Sequence, residues 1–349
     1  MIIDQPTPSR WQNFKERLRP SGSSWRRIAL LLLAFILLWV ILLGLYWSRE
    51  PASFSVADNV SEKLGVSSSN VVTGTAMAAT LIRVSETLLD KPGGYLSNDV
   101  MPPGLYLDNI PNWELGVLWQ VRDLSRSFRD GFSRSQSQST EDPDLLAASP
   151  HFSVDNTSWL FPAAESEYRL AIGSFYSYLS RISDSNNVDA QFYARADNLA
   201  DWLLYVELRL GSLSQTLSAS VGQQRFDTNM SGETGAVQST PVPEERSVKT
   251  PWLEIDDVFY EARGSTWALM HFLKAAEIDF QQVLADKNAT ASLRQIIREL
   301  EESQRPLYFP VILNGSGFGA FANHSLTMAN YISRANAAII DLRRLLERG

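Results

Sequence analysis

FYARADNLADWLLYVELRLGSLSQTL, residues 192–217, is the stretch whose pattern decides the fold. Its apolar positions Phe192, Ala196, Leu199, Leu203, Val206, Leu210, Leu213 and Leu217 step alternately by four and three. A mean step of about 3.5 residues keeps one stripe of an α-helix turned toward neighbouring helices over several heptads. The same spacing recurs on both sides. Met77, Leu81, Val84 and Leu88 line a helix from Thr75 that Pro92, Gly93 and Gly94 should stop. Val117, Val121, Leu124, Phe128 and Phe132 line one that begins near Asn112. Another starts around Pro162 with Tyr168, Ile172, Phe175, Leu179 and Ile182 inward, and others follow at Ile255–Leu284, Ala289–Ser303 and Ser325–Glu347. The fold class predicted is all-α, an up-and-down multi-helix bundle over 75–349. The polar, Pro-punctuated stretch 222–251 is a linker. Whether it divides two lobes, 75–221 and 252–349, or only decorates one bundle stays open.

Upstream lies a different kind of helix. From Ile28 to Trp47 every residue is apolar, aromatic, Gly or Ala (IALLLLAFILLWVILLGLYW), and twenty residues at 1.5 Å rise give about 30 Å, the thickness of a bilayer's hydrocarbon. The run is too long for a cleaved signal peptide and ends in bulky Leu45, Tyr46 and Trp47 rather than a small-x-small site. It reads as a single uncleaved transmembrane helix, 28–47, with Trp25, Tyr46 and Trp47 placed for the interfacial aromatic belts. The arm 1–27 carries Arg10, Lys15, Arg17, Arg19, Arg26 and Arg27 against Asp4 and Glu16. That basic excess assigns the arm to the cytoplasm of a bacterial inner membrane and the rest to the periplasm. Residues 48–74 are expected to be a tether.

The rest of the chain holds 25 basic and 37 acidic residues, a balance that excludes nucleic acid as a partner, disfavours anionic lipid headgroups and should make the domain stand off the membrane surface. There is no Cys, hence no disulfide, thiolate chemistry or Cys-based metal site. His151, His271 and His324 are too scattered for a zinc site or a Ser-His-Asp triad, and His271 reads as a packed residue. No catalytic residue, metal site or cofactor is predicted. The acid pairs Glu165/Glu167, Asp256/Asp257 and Asp142/Asp144 are read as caps and solvated charges.

Two connectors stand out. KPGGYLSNDVMPPGLYLDNIPNWE, Lys91–Glu114, holds four prolines and three glycines, yet Tyr95, Tyr106, Leu107, Ile110 and Trp113 are enough to pack it as an ordered cap. It either closes one end of the bundle or offers Asp99, Asp108, Trp113 and Glu114 to a partner. The second, Gln304–His324, reads as a hairpin turning at Asn314 and Gly315 or as an extended crossing. The Ser/Gln tract Ser133–Asp144 is expected to be a solvated loop.

The run LLDKPGGYLSNDVMPPGLYLDNIPNWELGVLWQVRDLSRSFRDGFSRSQSQSTED, residues Leu88–Asp142, resembles an uncharacterised bacterial family of membrane-anchored proteins described only as a domain of unknown function. The resemblance implies an inner-membrane protein and supplies no catalytic residue. The leading expectation is a non-enzymatic, membrane-anchored scaffold that binds an envelope protein or self-associates. The alternative is a periplasmic enzyme or carrier acting on cell-wall or lipid material through the 91–114 cap.

Overall fold

A computed structural model describes residues 22–65, 72–135, 140–184, 189–226, 245–307, 312, 314–316 and 320–348. The chain divides into two compact units, Met1–Trp47 and Ser48–Gly349. In the first, α1 spans Gly22–Trp47. Every side chain from Trp25 to Trp39 is exposed, and the most apolar 18-residue window within Trp25–Trp47 has a mean hydropathy of 3.2. Among the described residues it is the one helix long and apolar enough to cross a membrane.

The second unit is all-α apart from a short hairpin. In chain order it contains α2 (Val56–Leu64), α3 (Thr75–Asp90), α4 (Asn109–Ser127), α5 (Pro143–Phe152), α6 (Ala164–Ser183) and α7 (Ala196–Ser218). The antiparallel pair β1 (Gln223–Phe226) and β2 (Glu245–Val248) follows, then α8 (Ile255–Asp279), α9 (Gln281–Asp286), α10 (Thr290–Ser303) and α11 (His324–Glu347). α8 is the central helix, with both faces covered by α3, α4, α10 and α11. It reads as apolar nearly all round, as a helix surrounded by others must. The α4–α8 crossing is tight because a Cβ on Gly116 would sit 2.0 Å from the Glu261 carbonyl oxygen, and one on Gly264 1.9 Å from that of Trp113. The heptad stripe of α7, from Leu199 to Leu217, is buried against α11.

Several expectations shift by a turn. Asp108, not Asn112, caps α4, because Pro111 is tolerated in a first turn whose N–H groups lack helical partners. α2 lies in the stretch read as a tether, and α5 starts in the last two residues of the tract read as a loop and continues through a stretch that was given no element. Each is too short to show a period, and each is started by a side-chain cap, Asp142 to the Asp144 and Leu145 amides and Ser55 to the Asp58 amide. The linker 222–251 contains the β1–β2 pair, while its residues 227–244 lie outside the described residues. In the second connector Asn314 bridges to Asn323, a pairing that puts Asn314 in a bridge rather than in the turn, while residues 308–311, 313 and 317–319 of the hairpin reading lie outside the described residues. Residues 136–139 of the Ser/Gln tract also lie outside the described residues.

Candidate functional site

Alternating helix directions give the second unit two ends. At the proximal end the Asn112 amide donates to Asp257 (2.8 Å), joining the starts of α4 and α8. Asn98 donates to the Ser158 carbonyl (2.9 Å) and to Glu165 (2.8 Å), joining the cap to the start of α6. Arg263 donates to the carbonyls of Ser303, the last residue of α10, and of Arg305 just beyond it. The ring of Phe259 meets that of His324 at the start of α11.

The chain also comes into the unit at this end. Glu50 forms a fork with Arg263 (2.7 and 2.6 Å), whose side chain is nearly sealed from solvent. Four residues later Phe54 stacks on His271 at 4.1 Å and its N–H donates to Nε2 (3.1 Å). His271 Nδ1–H donates to the Trp267 carbonyl (2.7 Å), which fixes a neutral imidazole, and burial lowers its pKa to about 4. His271 is thus a packing residue, as its position on α8 implied.

The 91–114 connector is ordered around one carboxylate. Glu114 is fully buried and accepts from the Leu96 N–H (2.9 Å), the Ser97 N–H (2.8 Å), the Ser97 hydroxyl (2.5 Å) and the Lys91 ammonium. Lys91 also donates to the Gly94 carbonyl. Burial pushes the Glu114 carboxyl above the ordinary carboxylate range, while Lys91 and the other donors pull it back. A buried carboxylate held this way fixes the loop's path, since removing any donor leaves a buried carboxylate oxygen short of a partner.

The four residues singled out from the sequence therefore separate. Trp113 and Glu114 have no exposed surface and are occupied in closing the bundle. Asp99 is half-buried with its pKa raised by burial and by Glu165. Asp108 is exposed beside Glu254, Asp256 and Asp257. That cluster raises Asp257 to about 6, burial being the largest cause and the neighbouring acids adding to it.

What surrounds these acids follows no periodic pattern in the sequence. Outside α1, twelve large apolar side chains among the described residues are at least half exposed. Ten of them sit on proximal connectors: Val100, Met101, Leu105 and Tyr106 on the cap, Trp159, Leu160 and Phe161 before α6, Trp252 and Leu253 before α8, and Phe321 before α11. Phe161 is 91% exposed and Trp252 81%. Asn98 and Asn112 place the first three groups beside one another through the bonds given above. The one available signal was an aromatic–aliphatic run next to a proline just ahead of a helix, Trp159–Pro162 and Pro251–Leu253. Such runs carry no period and so escape a search for core faces.

A model of a family described as an uncharacterized protein conserved in bacteria (DUF2333) matches residues 19–349. No curated protein and no solved structure matches the chain.

Proposed function

The chain belongs to this bacterial family, and on that premise we propose that it is a single-pass inner-membrane protein whose helical domain works in the periplasm by binding rather than by chemistry. Support for the anchor comes from α1. A 23-residue helix whose most apolar 18-residue window has a mean hydropathy of 3.2 is long enough for about 30 Å of hydrocarbon, and the basic arm before it fits the cytoplasmic side. The binding reading is carried by one observation, the gathering of exposed aromatic and aliphatic side chains at the proximal end. Monomeric soluble domains seldom leave such a patch open, and where they do it is commonly an interaction surface. A catalytic cap gains no support from the geometry, because every oxygen of Glu114 already has partners.

Alkaline phosphatase fused after Gly349 tests the placement. Active enzyme, with the protein retained in the membrane pellet after alkaline carbonate washing, is the expected result. An inactive fusion rejects the periplasmic placement, and release into the carbonate supernatant rejects the anchor.

A further inference from the structure

We infer that the proximal face rests on the bilayer itself, with Tyr106, Phe161, Trp252 and Leu253 inserted at the lipid headgroup boundary; this rests on the membrane-anchored reading above. Three observations converge. The first is reach. Between Trp47, the end of the apolar helix, and Glu50, fixed to Arg263, there are only Ser48 and Arg49, and three residue steps extend at most about 10 Å. A domain held that closely has its proximal face beside the membrane.

The second is composition. The exposed side chains are Trp, Tyr, Phe, Leu and Met, and Trp and Tyr are the residues that concentrate at the membrane–water boundary, where an apolar ring body and a polar tip are both accommodated. The third is confinement. The two comparably exposed leucines elsewhere are on the flanks of α6 and α7, Leu170 alone and Leu208 beside only the less exposed Leu204, as scattered surface apolar residues ordinarily are.

The acidic balance of the domain bears on which lipid. Asp108, Glu254, Asp256 and Asp257 flank the apolar connectors, so anionic headgroups are repelled and zwitterionic ones are suited. The attraction is apolar burial, opposed rather than assisted by charge.

The absence of cysteine makes the test clean. Single substitutions Tyr106→Cys, Phe161→Cys and Leu253→Cys in the full-length chain, each carrying an environment-sensitive fluorophore, are reconstituted into phosphatidylcholine bilayers. Leu208→Cys serves as the water-facing reference, and Leu37→Cys, read with lipids brominated near the methyl end of the acyl chain, as the hydrocarbon reference. The three proximal labels should shift to the blue, lose most of their emission to lipids brominated near the headgroup end of the acyl chain, and resist iodide, while the Leu208 label does the reverse. Raising the anionic lipid fraction at low salt should weaken the lipid quenching.

Proximal labels open to iodide, with the Leu37 label still quenched by lipid, overturn docking and leave the anchor standing. Labels shielded from both quenchers overturn it in favour of a covering protein surface. Lipid quenching that grows with anionic lipid overturns the apolar account. A Leu37 label that lipid fails to quench removes the anchor and the docking together.

Discussion

The two ends of the helical domain use aromatic residues in opposite ways. At the distal end Phe128, Phe132, Phe192 and Phe280 meet one another at ring distances of 5.2–5.8 Å, mostly edge-on or tilted, and Phe128, Phe132 and Phe280 are fully buried. Gly74 is needed there twice over: its φ is +94°, and a Cβ would lie 2.3 Å from Phe192. Asp279, near the end of α8, closes that end by accepting from the Met77 N–H (2.7 Å) and the Ala76 N–H (3.4 Å) at the start of α3. At the proximal end residues of the same types, Trp159, Phe161 and Trp252, project into the surroundings. The apolar side chains that hold the domain together are thus separable from those left open for something else.

The largest effect expected is on stability at the distal end. Phe132→Ala should destabilise the domain by about 3–5 kcal/mol, the usual loss for a fully enclosed phenylalanine. Phe161→Ala, exposed at the other end, should change it by no more than about 0.5 kcal/mol. Chemical denaturation of both variants checks the contrast, and equal losses would erase the distinction between the two ends.

The proximal end does have a rigid part, and Lys91 sharpens where it lies. Lys91→Ala leaves the Glu114 carboxylate buried without its cation and should cost about 3–5 kcal/mol. Pairing Lys91→Met with Glu114→Gln should recover much of that loss, because no uncompensated charge remains. A double variant as unstable as Lys91→Ala would show that packing, rather than charge, holds the cap.

Both ends carry an acid with a raised pKa, for different reasons. Asp279 is lifted to about 7 by burial, against its own backbone hydrogen bonds. Its folded pKa lies above the ordinary aspartate value of 3.8, so its contribution to stability is complete below that value and is lost as the pH rises through about 7. Asp279→Asn should therefore flatten the dependence of the melting temperature on pH between 4 and about 7. An unchanged slope would locate that dependence elsewhere.

The smallest effect separates the two acids. Part of the shift at Asp257 comes from Asp108, Asp256 and Glu254. These interactions lie near solvent, where salt screens them. High salt should move the Asp257 titration, followed by carboxyl NMR, back toward the ordinary range and leave that of Asp279 in place. Equal movement of both would place Asp279 within reach of solvent ions.

Much of the architecture was legible before any coordinates. The stepping of Leu199, Leu203, Val206 and Leu210 gave a buried helix face because a packed stripe must repeat with the helix. The helices α2 and α5 were not legible, since Val56 and Val60, or Leu145 and Ala148, are too few to establish a period. The cap was legible as ordered, and Tyr95, Ile110 and Trp113 are indeed interior, yet Tyr106 in the same run is 74% exposed. Of the candidate contact residues, Asp108 kept its place at the surface, and Glu114 proved to be the cap's internal anchor.

By itself the sequence determined the α-class of the chain, its apolar N-terminal helix and most of its helix faces, because helical periodicity and continuous hydropathy are properties of neighbours along the chain. Only the tertiary structure decided which connectors share an end, that Glu50 reaches Arg263 across 213 positions, and which aromatic side chains remain uncovered. Burial in a connector depends on what distant segments leave open above it, and that is set when the helices close around α8.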